Sequence, residues 1–189
     1  LNLDEGARFQ QPFFWNIAEN ADATLTPSFF GNRGWGSEVE FRHDPFDGFQ
    51  YQTRGLFTND TIYQPGKVER EKTGTSEFRY LGQWEHHYTN NDNFNHHFNF
   101  TKLRDFDLNR DYQFYTDDKI LSSDSGLETF FDYRNDSFNL DVFSGYRTSH
   151  LYRDAREFDN RYVQILPKIS LDITPVTVFE SYIPLLNKL

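Results

Sequence analysis

Three groups of residues in this chain have the types and spacing to do chemistry. Four histidines crowd the stretch WEHHYTNNDNFNHHF, where His86 and His96 can pair across a hairpin with Glu85 near His97. A structural zinc site needs four ligands, and two from one hairpin leave it incomplete in a chain that has no cysteine. A polar, interfacial ring on a β-hairpin accounts for the histidines better, so no metal is assigned. Carboxylates are plentiful, 29 Asp and Glu, but they lie mostly in loop-like segments, and a pair can be drawn almost anywhere among them, so none singles out a glycosidase. The sequence contains no GxSxG, no HExxH and no glycine-rich phosphate loop leading into a helix. It therefore points to no catalytic residue and no cofactor.

The third group is a pair of prolines. In QQPFFWNIAENADATLTPSFF, Gln10 to Phe30, both halves alternate like β-strands, yet they carry Pro12 and Pro27. Each proline removes a backbone donor, and so a ladder bond worth about 0.5–1.5 kcal/mol net. In hydrocarbon the carbonyl left bare costs more, up to roughly several kcal/mol, because no water replaces the bond. Prolines in strands usually mark an edge or a bulge. A closed barrel has no edge unless one seam must open.

The elements that position these residues read as strands throughout, with almost no helical periodicity. Phe9, Gln11, Phe13 and Trp15 share one face of the first segment, and Ala23, Leu25, Pro27 and Phe29 one face of the second, with a turn over Ile17 to Asp22. After GNRG (Gly31 to Gly34), Val39 and Phe41 alternate with Glu38, Glu40 and Arg42, and DPFDG (Asp44 to Gly48) supplies turn residues. Rings alternate with Gln50, Gln52 and Arg54 in a fourth strand. Phe78, Tyr80, Gly82, Trp84, His86 and Tyr88 share one face of a fifth, and Phe94, His96, Phe98 and Phe100 one face of a sixth. A hairpin follows around Asn135 and Asp136. The last strand sets Val163, Ile165, Ile169, Leu171 and Ile173 against Gln164, Lys168, Ser170, Asp172 and Thr174. Long polar loops are expected at Asn59 to Thr75, at Asp105 to Ser125 and around RDAREFDN. Short turns alternating with long acidic loops suit strands that run up and down.

Composition supports a membrane reading. Among the 189 residues are 21 Phe, 11 Tyr and 3 Trp, while mean hydropathy is only −0.79. No apolar run approaches the roughly 18 residues of a transmembrane helix. A barrel strand needs only about ten residues with every second one apolar, which keeps mean hydropathy low. The net charge of −10 offers no basic stripe for a nucleic acid. The chain begins at Leu1, shows no signal-peptide pattern and lacks methionine, so both ends are expected to be cuts. The expected fold is all-β, an antiparallel transmembrane β-barrel segment with roughly nine or ten strands.

PFFWNIAENADATLTP, Pro12 to Pro27, followed by GNRG and EVEFR, closely resembles the start of the barrel in the lipopolysaccharide-assembly family LptD, also called OstA. The shared residues are Phe13, Phe14, Trp15, Asn16, Ile17, Ala18, Asn20, Asp22, Ala23, Thr24, Thr26 and Pro27. Glu19 stands where relatives often have proline, in the turn rather than a strand. Beyond about Phe49 the likeness is one of pattern and loop placement. The resemblance implies that residues 1–189 form the N-terminal portion of a larger outer-membrane barrel, with the periplasmic domain and the closing strands outside this stretch.

It further implies a non-enzymatic translocon in the Gram-negative outer membrane. Such a translocon takes lipopolysaccharide from a periplasmic bridge protein resembling LptA, holds an LptE-like lipoprotein plug in its lumen, and releases lipopolysaccharide to the outer-membrane lipids through a lateral gate where first and last strands meet. Pro12 and Pro27 match the family positions that weaken that seam. Two other readings are a different outer-membrane barrel, a porin or uptake receptor, and a soluble carbohydrate-binding β-sandwich.

Overall fold

A computed structural model of the chain describes residues 6–63, 76–90, 93–105, 107–112, 124–149 and 164–175. The strands in chain order are β1 (Arg8–Gln10), β2 (Phe13–Ala18), β3 (Ala21–Phe30), β4 (Gly34–His43), β5 (Phe49–Asp60), β6 (Glu77–Asn90), β7 (Phe94–Leu103), β8 (Asp124–Arg134), β9 (Phe138–Ser149) and β10 (Ile165–Ile173). One short helix, α1 (Asp107–Asp111), lies between β7 and β8. All the strands belong to one antiparallel sheet in which β1 and β2 both pair with β3 and each later strand pairs with the next, so that β1/β2 and β10 end it without meeting each other. This is an open, all-β antiparallel sheet, as a segment of a larger barrel requires. A sandwich would need a second packed sheet, and the described residues contain only one.

The two-residue period of the sequence becomes two faces because register is kept across the sheet. Row by row, Glu40 faces Thr24 and Arg54, and Gln83 faces Arg54 and Thr101, so the charged and amide side chains share one face. The other face carries Leu25, Val39, Phe41, Tyr51, Trp84, Phe98 and Phe100 in adjoining rows. Its rings lie in the open rather than in a sealed core: Trp15 and Trp35 are 67% and 66% exposed. An apolar surface this continuous is uncommon on a protein that ends in water.

Several expected boundaries shift. The first turn is only Glu19–Asn20, because β2 runs to Ala18 and β3 begins at Ala21, with a register shift between Asn16 and Ala18 absorbing the extra residue. The last strand covers nine residues, and a register shift between Ile165 and Lys168, around Pro167, places Ile165 opposite Gly145 on the polar face. Ile165 therefore does not line up with Ile169, which faces Val142. Asn59 and Asp60, expected in a loop, end β5, and α1 sits inside the second expected loop. Val163, the expected RDAREFDN loop and most of the other two loops fall outside the described residues. Gly48 closes the Asp44–Gly48 turn at a φ of 79°, where any side chain would collide with the Thr89 carbonyl.

The only apolar core among the described residues lies at one end of the polar face. Leu56, Leu81 and Leu103 stand in one row across β5, β6 and β7, and Phe30, Leu108 and Tyr112 close over them. α1 carries Leu108 onto this row, so the chain after β7 folds back as a cover.

Candidate gate edge and its buried anchor

β1 and β2 are one strand interrupted at Gln11 and Pro12. Both pair with β3 in a single register, Gln10 opposite Ser28 and Phe13 opposite Leu25. In an antiparallel ladder only alternate residues point their N–H and C=O at a given neighbour. Here the odd residues point at β3: the Ala7 carbonyl accepts from Gly31 N–H at 2.8 Å, and Gln11 N–H donates to the Pro27 carbonyl at 3.2 Å. The even residues, Pro12 among them, point away from β3. Among the described residues no strand pairs with that side.

Each proline is expected to remove a ladder bond and so to weaken the seam between first and last strands, yet the two act on opposite sides of this strand. Pro27 removes a bond of the β1/β2–β3 ladder rather than of the outer edge, because it has no N–H to return to the Gln11 carbonyl opposite it. Pro12 instead removes a donor from the open edge. The Pro12 carbonyl on that edge already accepts from Gln11 Nε2 at 3.2 Å. The two prolines, on neighbouring rungs, thin the backbone bonding of one short stretch from both sides.

The remaining motif residues form the hairpin that carries this edge. Phe14 faces Thr24, Trp15 faces Ala23, Asn16 faces Asp22 and Ala18 faces Ala21, while Ile17 sits in the register shift. Asn20 ties the turn to the next connection: its Nδ2 donates to the Asp44 carbonyl at 3.0 Å, and its carbonyl accepts the Asp44 N–H at 2.9 Å. Asp22 accepts from both Nε and Nη2 of Arg42 at 3.0 Å, a two-point bridge between β3 and β4. Thr26 lies opposite Glu38, and its carbonyl accepts from Ser28 Oγ at 3.3 Å. All six residues of β2 are exposed. The motif thus folds as one hairpin, anchored at its turn and bare along its outer side.

The four histidines divide between the faces. His86 Nε2 and His96 Nδ1 lie 2.9 Å apart on the aromatic face, His96 Nε2 lies 3.0 Å from Thr129 Oγ1, and Phe98 stacks on His86. His87 and His97 face each other on the polar side with Glu85. The proposed His86–His96 pairing is present, but Glu85 and His97 are on the opposite face, and no group of three metal-capable side chains occurs among the described residues.

The residues that sequence reasoning missed are at the sealed end of the polar face. Asp60, at the end of β5, accepts from Arg33 Nη1 at 2.7 Å, Arg79 Nη1 at 2.8 Å and the Tyr112 hydroxyl at 3.1 Å. Its second oxygen accepts the N–H groups of Ile62 and Tyr63, both at 3.1 Å. Arg79 also grips Asp105 with Nε and Nη2 at 2.9 and 2.7 Å and donates to Asp111 at 2.8 Å. Its guanidinium lies over the Tyr63 ring, 3.8 Å from the centroid. Burial opposes the Arg33 charge, but Asp111 and Asp60 outweigh it and hold its pKa above the ordinary value. Burial pushes the Tyr63 and Tyr112 phenols up, so both stay neutral and can donate. The signal in the sequence was Leu56, Leu81 and Leu103, three leucines that fall on the more polar face of consecutive strands.

No family model matches the chain. It is similar to proteins named LPS-assembly protein LptD from Actinobacillus pleuropneumoniae serotype 7 (28% identical over 171 residues, 89% of this chain and 20% of the relative) and Haemophilus ducreyi (29% over 177 residues, 89% and 20%). The Mannheimia succiniciproducens protein of the same name is 33% identical over 117 residues, 60% of this chain and 14% of the relative. These likenesses support a family relationship to the LPS-assembly proteins LptD, of whose length the chain spans about a fifth.

Proposed function

We propose that this chain is the N-terminal portion of an outer-membrane β-barrel that inserts lipopolysaccharide into the outer leaflet, and that the β1/β2 edge is one side of its lateral gate. The names of its relatives supply the lipopolysaccharide. The under-bonded edge carries the gate, because a seam that must part needs a strand held on one side and poorly held on the other.

The two faces fit this task. Exposed rings on one face suit the acyl chains of a bilayer, where only closed hydrogen bonding is stable and a weak seam is therefore costly unless it serves a purpose. The polar face, rich in amides and charges, suits a wet lumen for a sugar head group. Pro12 loosens the seam itself, and Pro27 loosens the inner ladder so that the gating strand can swing from its anchored hairpin turn. An LptE-like plug in the lumen and an LptA-like bridge delivering cargo complete the proposed assembly, which needs no catalytic group.

The test replaces both prolines by alanine in the full-length protein. Restored donors should tighten the seam and slow lipopolysaccharide export. Unchanged export together with unchanged seam opening would refute the gate.

A further inference from the structure

We infer that Gln11 is a gate residue in its own right: its side-chain amide caps the Pro12 carbonyl on the open edge and so holds the seam apart. This rests on the gate reading above and adds to it a residue that works by supplying a donor, where the prolines work by lacking one.

Gln11 is out of place by side-chain chemistry. It shares the apolar face with Phe9, Phe13 and Trp15, all exposed, in a row where a hydrocarbon environment favours rings and aliphatic chains. A primary amide there must satisfy its polar atoms locally. Its backbone is committed inward, the N–H donating to Pro27 at 3.2 Å. Its side chain goes the other way, Nε2 reaching the Pro12 carbonyl at 3.2 Å. That carbonyl is the acceptor a closing strand would otherwise use.

The consequence is a gap in the edge. Outward backbone groups recur every second residue, about 6.8 Å apart. Between Gln10 and Phe14 the edge therefore offers no donor, because Pro12 has none, and only a half-used acceptor, because the Gln11 amide takes one of the Pro12 carbonyl's two lone pairs. When the seam parts, the same cap keeps the Pro12 carbonyl from standing bare in lipid. Gln11 thus favours the parted state at both ends of the motion.

The opposite side of the sheet uses the same chemistry. Where the chain enters β10 ahead of the register shift at Pro167, the Gln164 amide accepts the Arg147 N–H at 2.8 Å and donates to the Arg147 carbonyl at 2.7 Å. In both places a glutamine amide bonds strand backbone close to a proline, Gln11 next to Pro12 and Gln164 three residues before Pro167.

The experiment uses the full-length protein in the outer membrane with its partners. One cysteine is placed at Gln10 and another is scanned along the strand that faces it, and disulfide yield reports seam closure. Gln11→Met keeps length and removes the donor, so the yield should rise between about two- and tenfold, the worth of one such bond. In the unaltered protein, a carbonyl-¹³C label on Pro12 and a side-chain ¹⁵N label on Gln11 should show direct dipolar coupling. If Pro12→Ala raises the yield while Gln11→Met leaves it unchanged, the gate stands and the cap is wrong. If Pro12→Ala also has no effect, the gate reading falls and the cap with it. Should Gln11→Met fail to assemble, the isotope pair decides: coupling supports the cap, and its absence overturns it.

Discussion

The sealed end of the polar face and the β1/β2 edge belong to the same sheet but are bonded in opposite ways. At the sealed end, Arg79 is 1% exposed and binds three carboxylates, and five groups donate to Asp60. At the edge, every residue of β2 is exposed, and the stretch at Pro12 has no donor to offer. β3 joins the two regions: Phe30 at one end is buried in the leucine core, and Pro27 three residues earlier withholds a bond from Gln11. Under the proposed gate these two regions divide the labour: the wall opens along one seam and is tightly bonded a few strands away, which confines motion to the edge strand.

The largest expected effect is at the sealed end. Arg79→Leu strands Asp60, Asp105 and Asp111 in a buried site with only Arg33 nearby, and should cost about 3–5 kcal/mol. Denaturant unfolding of the full-length barrel, or its steady-state level in the membrane, measures this. A loss below about 1 kcal/mol would mean that the cluster does not hold the cover down.

The double change Pro12→Ala with Pro27→Ala comes next, restoring about 1–3 kcal/mol of backbone bonding in total. The single variants sharpen the comparison. Pro12→Ala should raise cross-linking across the seam, whereas Pro27→Ala should leave the seam alone and protect the β1/β2–β3 ladder. Equal effects on both readouts would contradict the opposite orientations of the two sites.

Tyr112→Phe removes the hydroxyl between Asp60 and Thr58, 3.1 and 2.9 Å away. It should destabilise by about 1–2 kcal/mol, read by the same unfolding assay, without changing seam cross-linking. The smallest effect belongs to Asp22→Ala at the exposed anchor of the gate hairpin. Its bridge to Arg42 lies largely in solvent, and the loss should stay below about 1 kcal/mol and shrink further in high salt.

The two faces were legible in the sequence because a strand's period of two needs no tertiary information: the rows through Phe41, Trp84 and Phe98 lie where alternation puts them. The motif hairpin was legible for the same reason. The different roles of Pro12 and Pro27 were not, because the side to which a backbone N–H points depends on which rung of the ladder it occupies, and register is set by pairing. Ile165 was misplaced for a related reason, since a shift at Pro167 cancels simple alternation. The Arg33–Asp60–Arg79 cluster was hidden because Asp105, Asp111 and Tyr112 come from a segment whose polar composition reads as a solvated loop. Only the row Leu56, Leu81 and Leu103 hinted that something covers the polar face there.

Residue-resolved amide exchange across 8–16 in the full-length, detergent-solubilised barrel tests the central claim most directly. Protection should alternate, with Phe9, Gln11, Phe13 and Trp15 slow because they donate to β3, and Gln10, Phe14 and Asn16 fast because they face a seam that opens. Uniform slow exchange at both sets would show a seam bonded as firmly as the rest of the wall, and would contradict the account.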